Sequence, residues 1–134
     1  MRDDRSEKSG APRVAWRQCG GEECLWFTFG PELSGEDALG AILEWRRAFA
    51  RRPGRWVVVW DASRMVGYDS EARRAWQRAL RELGGQISHV WLITESKLVK
   101  MGAAVMGALT GLDIRVVASA SAIARSAIAR SERR

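Results

Sequence analysis

Trp56-Val57-Val58-Val59-Trp60 is an apolar, β-branched run with no polar residue on either side of the strand it encodes. A strand with one wet face alternates apolar and polar side chains. An unbroken run therefore calls for cover on both faces, the condition of a parallel sheet flanked by helices. The neighbouring segments agree. Val14–Cys19 and Glu23–Phe29 are strand-like and joined through Gly20-Gly21, a hairpin signal because a tight reversal needs positive φ. Ser34 with Asp37 makes a variant capping box ahead of a helical stripe of Ala38, Ile42, Trp45 and Phe49, which Pro53-Gly54 terminates. Asp69 or Ser70 caps a second helix with Ala72, Ala75, Trp76, Ala79, Leu80 and Leu83 on one side, ended by Gly84-Gly85. His89–Thr94 is the next strand. Ser96 opens a third helix, expected to turn Leu98, Met101, Val105, Ala108 and Leu109 inward, and Gly111 stops it. Ile114–Ala118 is the last strand, followed by an Ala/Ile helix from Ser119 or Ser121 to about Ser131.

The resulting order, β-β-α-β-α-β-α-β-α, predicts a single α/β domain over residues 12–131, preceded by a disordered polar lead over residues 1–11. Its sheet is five-stranded and mostly parallel. If the strands lie in sequential order, right-handed crossovers place the helices mainly on one face.

The composition excludes several function classes. A single histidine, His89, and two cysteines, Cys19 and Cys24, cannot alone supply the four ligands of a closed zinc site. The cysteines flank the hairpin and lack Cys-x-x-Cys spacing at a helix start, so they read as small apolar side chains. No Walker loop, no Gly-x-Gly-x-x-Gly turn and no Gly-x-Ser-x-Gly elbow is present, and His89 alone does not make a triad. Asp61, Asp69, Glu95 and Asp113 lie near strand ends or helix starts, but as caps and loop formers rather than a magnesium site. No metal, no cofactor and no enzymatic activity are expected. The opening stretch Met1–Lys8 has no apolar run, and Met101–Leu112 is too short to span a bilayer, so neither a signal peptide nor a membrane span is expected and a cytoplasmic location follows.

The formal net charge is +6, and among the 22 basic residues only Lys8, Lys97 and Lys100 are lysines. Arg46, Arg47, Arg51, Arg52 and Arg55 cluster at the end of the first helix. They raise the alternative of a basic module for nucleic acid or another anionic surface, although no helix-turn-helix accompanies them. At a helix C-terminus the same charges complement the helix dipole.

The sharpest segment runs from Val57 to Ala72. An apolar strand ends in Asp61-Ala62-Ser63, and after a loop Asp69-Ser70 opens an amphipathic helix. This resembles the STAS domain of sulfate transporters and anti-sigma factor antagonists, with its strand, Asp-Leu-Ser, loop and Asp-Ser-Ser-Gly. The stretch Phe29–Ala38 also resembles that family's segment before its first helix. Element order matches from about Val14 to Arg130. The chain departs from the pattern at Glu71 and Ala72, where the family has serine and glycine, so it is similar to a divergent branch of the bacterial stage II sporulation antagonists. The resemblance implies a non-enzymatic signalling module that binds a protein partner, a kinase or a regulator. Ser70 is then the candidate phosphoacceptor, and Asp61, Ser63, Asp69, Glu71, Arg73 and Arg74 are the partner-binding residues. Without the family, Asp69 and Ser70 serve as a helix cap, and a phosphate on Ser70 would sit in the positive field of a helix start.

Seven tryptophans remain to be placed. One register points Trp26, Thr28, Trp56, Trp60, His89, Trp91 and Arg115 away from the helices. That arrangement predicts a helix-free apolar face and a homodimer or partner contact through it. The opposite register is equally compatible with period-2 strands.

Overall fold

A computed structural model describes residues 12–125. The lead over residues 1–11 and the expected end of the last helix lie outside the described residues. Strands β1 (Arg13–Cys19) and β2 (Glu22–Thr28) form the antiparallel hairpin, turning at Gly20 and Gly21 with φ of 61° and 91°. Then come α1 (Gly35–Arg51), β4 (Trp56–Asp61), α2 (Ser70–Leu83), β6 (Ile87–Ile93), α3 (Lys97–Thr110) and β7 (Ile114–Val117). Residues 120–125 open a further helix, α4. Two short strands, β3 (Glu32–Leu33) and β5 (Gly67–Tyr68), pair in parallel as a separate ribbon that the sequence did not announce.

The main sheet has the order β1-β2-β4-β6-β7, parallel throughout except for the first pair. Because this is sequential order, α1, α2 and α3 fall on one face. There they cover Leu25, Phe27, Val58, Trp60, Val90 and Leu92. The middle of this layer is aromatic. Trp45 and Trp76 lie 5.4 Å apart, and each meets Phe27 edge-on, at 5.1 and 5.6 Å. Trp60 meets both edge-on from the sheet, at 6.4 Å from Trp45 and 5.8 Å from Trp76. Such pairs contribute about 0.5–1.5 kcal/mol each beyond their burial.

The tryptophan register differs from the predicted outward set. Trp56 and Trp60 point with Val58 toward the helices, and Trp60 is buried there. Trp26 and Trp91 do lie on the second face, but each is only 7% exposed. They cluster with Cys24, Val57, Val59, Ile93 and Ile123. Ile123 belongs to α4, so this face is not helix-free, and its aromatics do not form the open patch that a Trp-mediated dimer needs. The guanidinium of Arg17 stacks 4.4 Å above Trp26 and that of Arg115 lies 5.5 Å from Trp91.

The third helix is also turned from its expected phase. Val99 and Ala103 face inward, whereas Leu98, Met101, Val105 and Leu109 are exposed. The small residues settle the matter. Tyr68 lies so close against Gly102 that a Cβ there would collide with its hydroxyl, and at Gly107 a Cβ would come 3.4 Å from the Leu112 carbonyl. A helix apolar on most of its circumference seats the side that lets its backbone come closest.

The helix starts follow the sequence closely. Ser34 Oγ accepts from Asp37 N–H at 3.1 Å, and Ser96 Oγ accepts from Val99 N–H at 3.2 Å. Asp69 does more than cap its own helix. Its Oδ1 accepts from Ala72 N–H at 2.7 Å while its Oδ2 accepts from Gly35 N–H, the first residue of α1, at 3.2 Å. One carboxylate thus serves two helix N-termini, each with unpaired N–H groups and a partial positive charge. The two starts come together because residue 35 has no side chain: a Cβ there would lie 2.8 Å from Glu71 Cβ.

Two stability measurements in urea follow. Asp69→Ala is expected to lose about 2 kcal/mol, one cap's worth for each helix, and Asp69→Asn about half as much. A loss below about 0.5 kcal/mol for the alanine variant would contradict the double cap. Gly35→Ala should destabilise by about 1–3 kcal/mol through overpacking, although alanine is the better helix former; a neutral result would contradict the close approach of α1 to α2.

Candidate partner-binding site

The functional residues expected from sequence gather where the strands end and α2 begins. Asp61 closes β4. Its Oδ1 accepts from Ser63 N–H at 3.2 Å and from Ser63 Oγ at 2.7 Å, a self-contained Asx turn that shapes the loop. The loop is held to the sheet by Ala62 N–H donating to the Ile93 carbonyl at 3.0 Å. Farther on, the β3–β5 ribbon and the bond from Asp69 N–H to the Leu33 carbonyl at 3.1 Å bring the start of α2 beside the start of α1.

Ser70 is the first residue of α2 and is exposed. Glu71, Arg73 and Arg74 are exposed as well, and the arginines stand three and four residues on, over the same turn as Ser70. The structure therefore unites Asp69, Ser70, Glu71, Arg73 and Arg74 on one helical turn. It places Asp61 and Ser63 in the loop leading to that turn, bonded to each other. Gly35 adjoins these residues too. No local signal marks it, because its partner Asp69 lies 34 residues away in sequence.

Beside this turn, between α2 and α3, is an almost wholly apolar cavity of about 70 Å³. Phe29, Trp60, Met65, Tyr68, Trp76 and Met106 contribute to its wall, and Arg73 borders it. Neither the Trp45 nor the Trp60 indole N–H has a hydrogen-bond acceptor among the described residues; both rings meet their neighbours edge-on.

The arginine cluster at the end of α1 is largely engaged within the protein. Arg46 forms a two-pronged pair with Glu82 of α2, at 2.9 and 2.6 Å, which holds the Glu82 carboxyl below the usual carboxylate range. Arg47 pairs with Glu44 at 3.6 Å, and Arg55 donates to the Ile87 carbonyl at 3.1 Å. Arg52 binds Glu23 at 2.6 Å and stacks 4.2 Å from Trp16. The Arg46 and Arg52 pairs tie the end of α1 to α2 and β2 and neutralise part of the cluster's charge.

Cys19 and Cys24 are buried on the second face. The Cys19 thiol is held below its ordinary range by its hydrogen bond with Cys24, and the Cys24 thiol is pushed up by that bond and then by burial. His89 is buried in the N-terminal half of β6, its ring edge-on to Trp91 and its Nδ1 3.2 Å from Ser88 Oγ. It is remote from the strand ends where α2 begins. Among the described residues no group of three acidic, cysteine or histidine side chains is placed to hold a metal ion, and no helix is long and apolar enough to cross a membrane.

No family model and no curated protein matches the chain. Among solved structures it is similar to the crystal structure of an uncharacterized protein from the DUF3478 family with a SpoIIAA-like fold, from Shewanella loihica PV-4. The identity is 15%, the match covers 84% of this chain and 90% of that one, and the TM-score is 0.70. At that identity the likeness speaks for the fold alone: this chain has a SpoIIAA-like α/β fold.

Proposed function

We propose that the chain is a cytoplasmic, non-enzymatic regulatory module that binds a protein partner through residues 61–74 and is switched by phosphorylation of Ser70. The observation that carries this proposal is the placement of an exposed Ser70 directly beside Asp69, the carboxylate that ties two helix starts together. The SpoIIAA-like fold supports a regulatory role, and the partner class is a kinase or another regulator.

The electrostatics supply a mechanism. A phosphate on Ser70 adds roughly −1.5 to −2 charge at pH 7. It is drawn to the N-terminus of α2 and to Arg73 and Arg74 one turn on. It repels the Asp69 and Glu71 carboxylates on either side. Asp69 then competes with the phosphate for the same positive field, and its bond to Gly35 N–H, the longer of its two, is the one that weakens. Modification thus loosens α1 from α2 at their starts and changes the surface a partner meets. Unmodified, Ser70 and Asp69 leave that surface rigid.

A side-by-side pull-down with wild type, Ser70→Ala and Ser70→Asp tests this, with bound proteins quantified. The same partner should be retained by wild type and Ser70→Ala and reduced at least tenfold by Ser70→Asp. Equal capture by all three would defeat the switch while leaving the helix cap intact.

A further inference from the structure

The β1–β2 hairpin carries two thiols on one face. Arg17 pairs with Cys24 and Cys19 pairs with Glu22, so the cysteines stand diagonally across the strands. Strand alternation turns both to the second face of the sheet, where they share a cluster with Trp26 and Val57. The Cys24 side chain reaches back toward the turn. Its Sγ lies 3.9 Å from the carbonyl oxygen of Glu22, the residue directly opposite Cys19. There it meets the Cys19 thiol in a hydrogen bond. The two thiols differ in access. Cys19 is 8% exposed, next to the exposed Gly20, whereas Cys24 is wholly enclosed.

We propose that Cys19 and Cys24 are a modification site, joined in a reversible disulfide by a hydroperoxide and released by a dithiol reductant. The contact between the thiols assigns their roles. Cys24 donates its S–H to the Cys19 sulfur, and Arg17 adds a positive charge; together they favour the Cys19 thiolate against burial and Glu22. The same bond and burial keep Cys24 protonated. A thiolate is the nucleophile, so the more accessible Cys19 reacts first. Its sulfur attacks hydrogen peroxide: an S–O bond forms, the O–O bond breaks and hydroxide leaves. The Cys24 sulfur then attacks the Cys19 sulfenic acid. The S–S bond forms, the S–O bond breaks, and the hydroxyl departs with the Cys24 proton as water. Two thiols and one peroxide become one disulfide and two waters. The apolar surroundings favour this second step, because a sulfenic hydroxyl held among Trp26 and Val57 costs desolvation and a disulfide does not. Diagonal neighbours average about 7–8 Å between Cα atoms, and a disulfide spans up to about 6.8 Å. Closing the bond therefore draws β1 inward beside the turn, which an edge strand and the Gly20-Gly21 reversal permit. The site lies where β2 and β4 begin, at Cys24 and Val57. The Ser70 turn is beyond their other ends, Thr28 and Asp61, and the proposal does not rest on it.

The test is exposure of the reduced full chain to hydrogen peroxide at neutral pH, quenched with catalase and read by mass spectrometry. The product should be a monomer lighter by two hydrogen atoms, and dithiothreitol should restore both thiols. No lysine or arginine separates the cysteines, so the bond is mapped with a glutamate-specific protease. Cleavage after Glu22 or Glu23 leaves two peptides joined only through it. Cys24→Ser should stop at a sulfenic acid on Cys19 that dimedone captures. Cys19→Ser should oxidise at Cys24 at least tenfold more slowly than wild type oxidises at Cys19, with circular dichroism confirming that both variants are folded. The proposal is overturned if both thiols of the folded wild type survive peroxide that oxidises the same chain in urea. A disulfide between chains in place of the internal one, or equal reactivity of the two single variants, would overturn it as well.

Discussion

A sheet that is apolar on both faces has to be covered twice, and much of this molecule is the consequence. The central strands β4 and β6 carry apolar side chains up and down. Sequential strand order sends all three crossover helices to one side. The second side is left to the chain beyond β7, and Ile123 of α4 is found there, buried against Val57, Val59 and Trp91. Guanidinium groups of Arg17 and Arg115 shield the tryptophans at its margins. What first suggests an interface, a sheet face rich in tryptophan, is in this way internal.

The same constraint shapes the helical side. A dense aromatic layer fixes α1 and α2 against the sheet, and the Asp69 carboxylate fixes their starts against each other. The third helix has no such layer. It seats Val99 and Ala103, with Gly102 close under Tyr68, and leaves Leu98, Met101, Val105 and Leu109 in water. The aromatic packing is concentrated around Trp45 and Trp76, while the proposed recognition lies at the exposed N-terminal turn of α2.

Much of this was legible in the sequence, and the failures have physical causes. Caps at Ser34, Asp69 and Ser96 and the Gly20-Gly21 turn are local devices whose signal lies within four residues, and all appear as expected. The phase of Trp56-Val57-Val58-Val59-Trp60 was not legible, because a strand buried on both faces has no polar residue to mark its outside. The phase of α3 was hidden for a similar reason: apolar residues occupy most of its circumference, and the close approach at Gly102 is decided by Tyr68 on a distant segment. The two-residue ribbon of β3 and β5 is too short for any periodicity. Of the site, the Asp-Ser motif was visible, but the second role of Asp69 was not, since no local rule connects it with Gly35.

That second role is where the functional account stands or falls. The most direct measurement is amide hydrogen exchange at Gly35, read by NMR in the unmodified protein and in protein carrying phosphoserine at position 70. The account predicts that the phosphate speeds exchange of the Gly35 amide while core amides of β4 and β6 are unaffected. An unchanged Gly35 amide, in a protein demonstrably phosphorylated at Ser70, would contradict it.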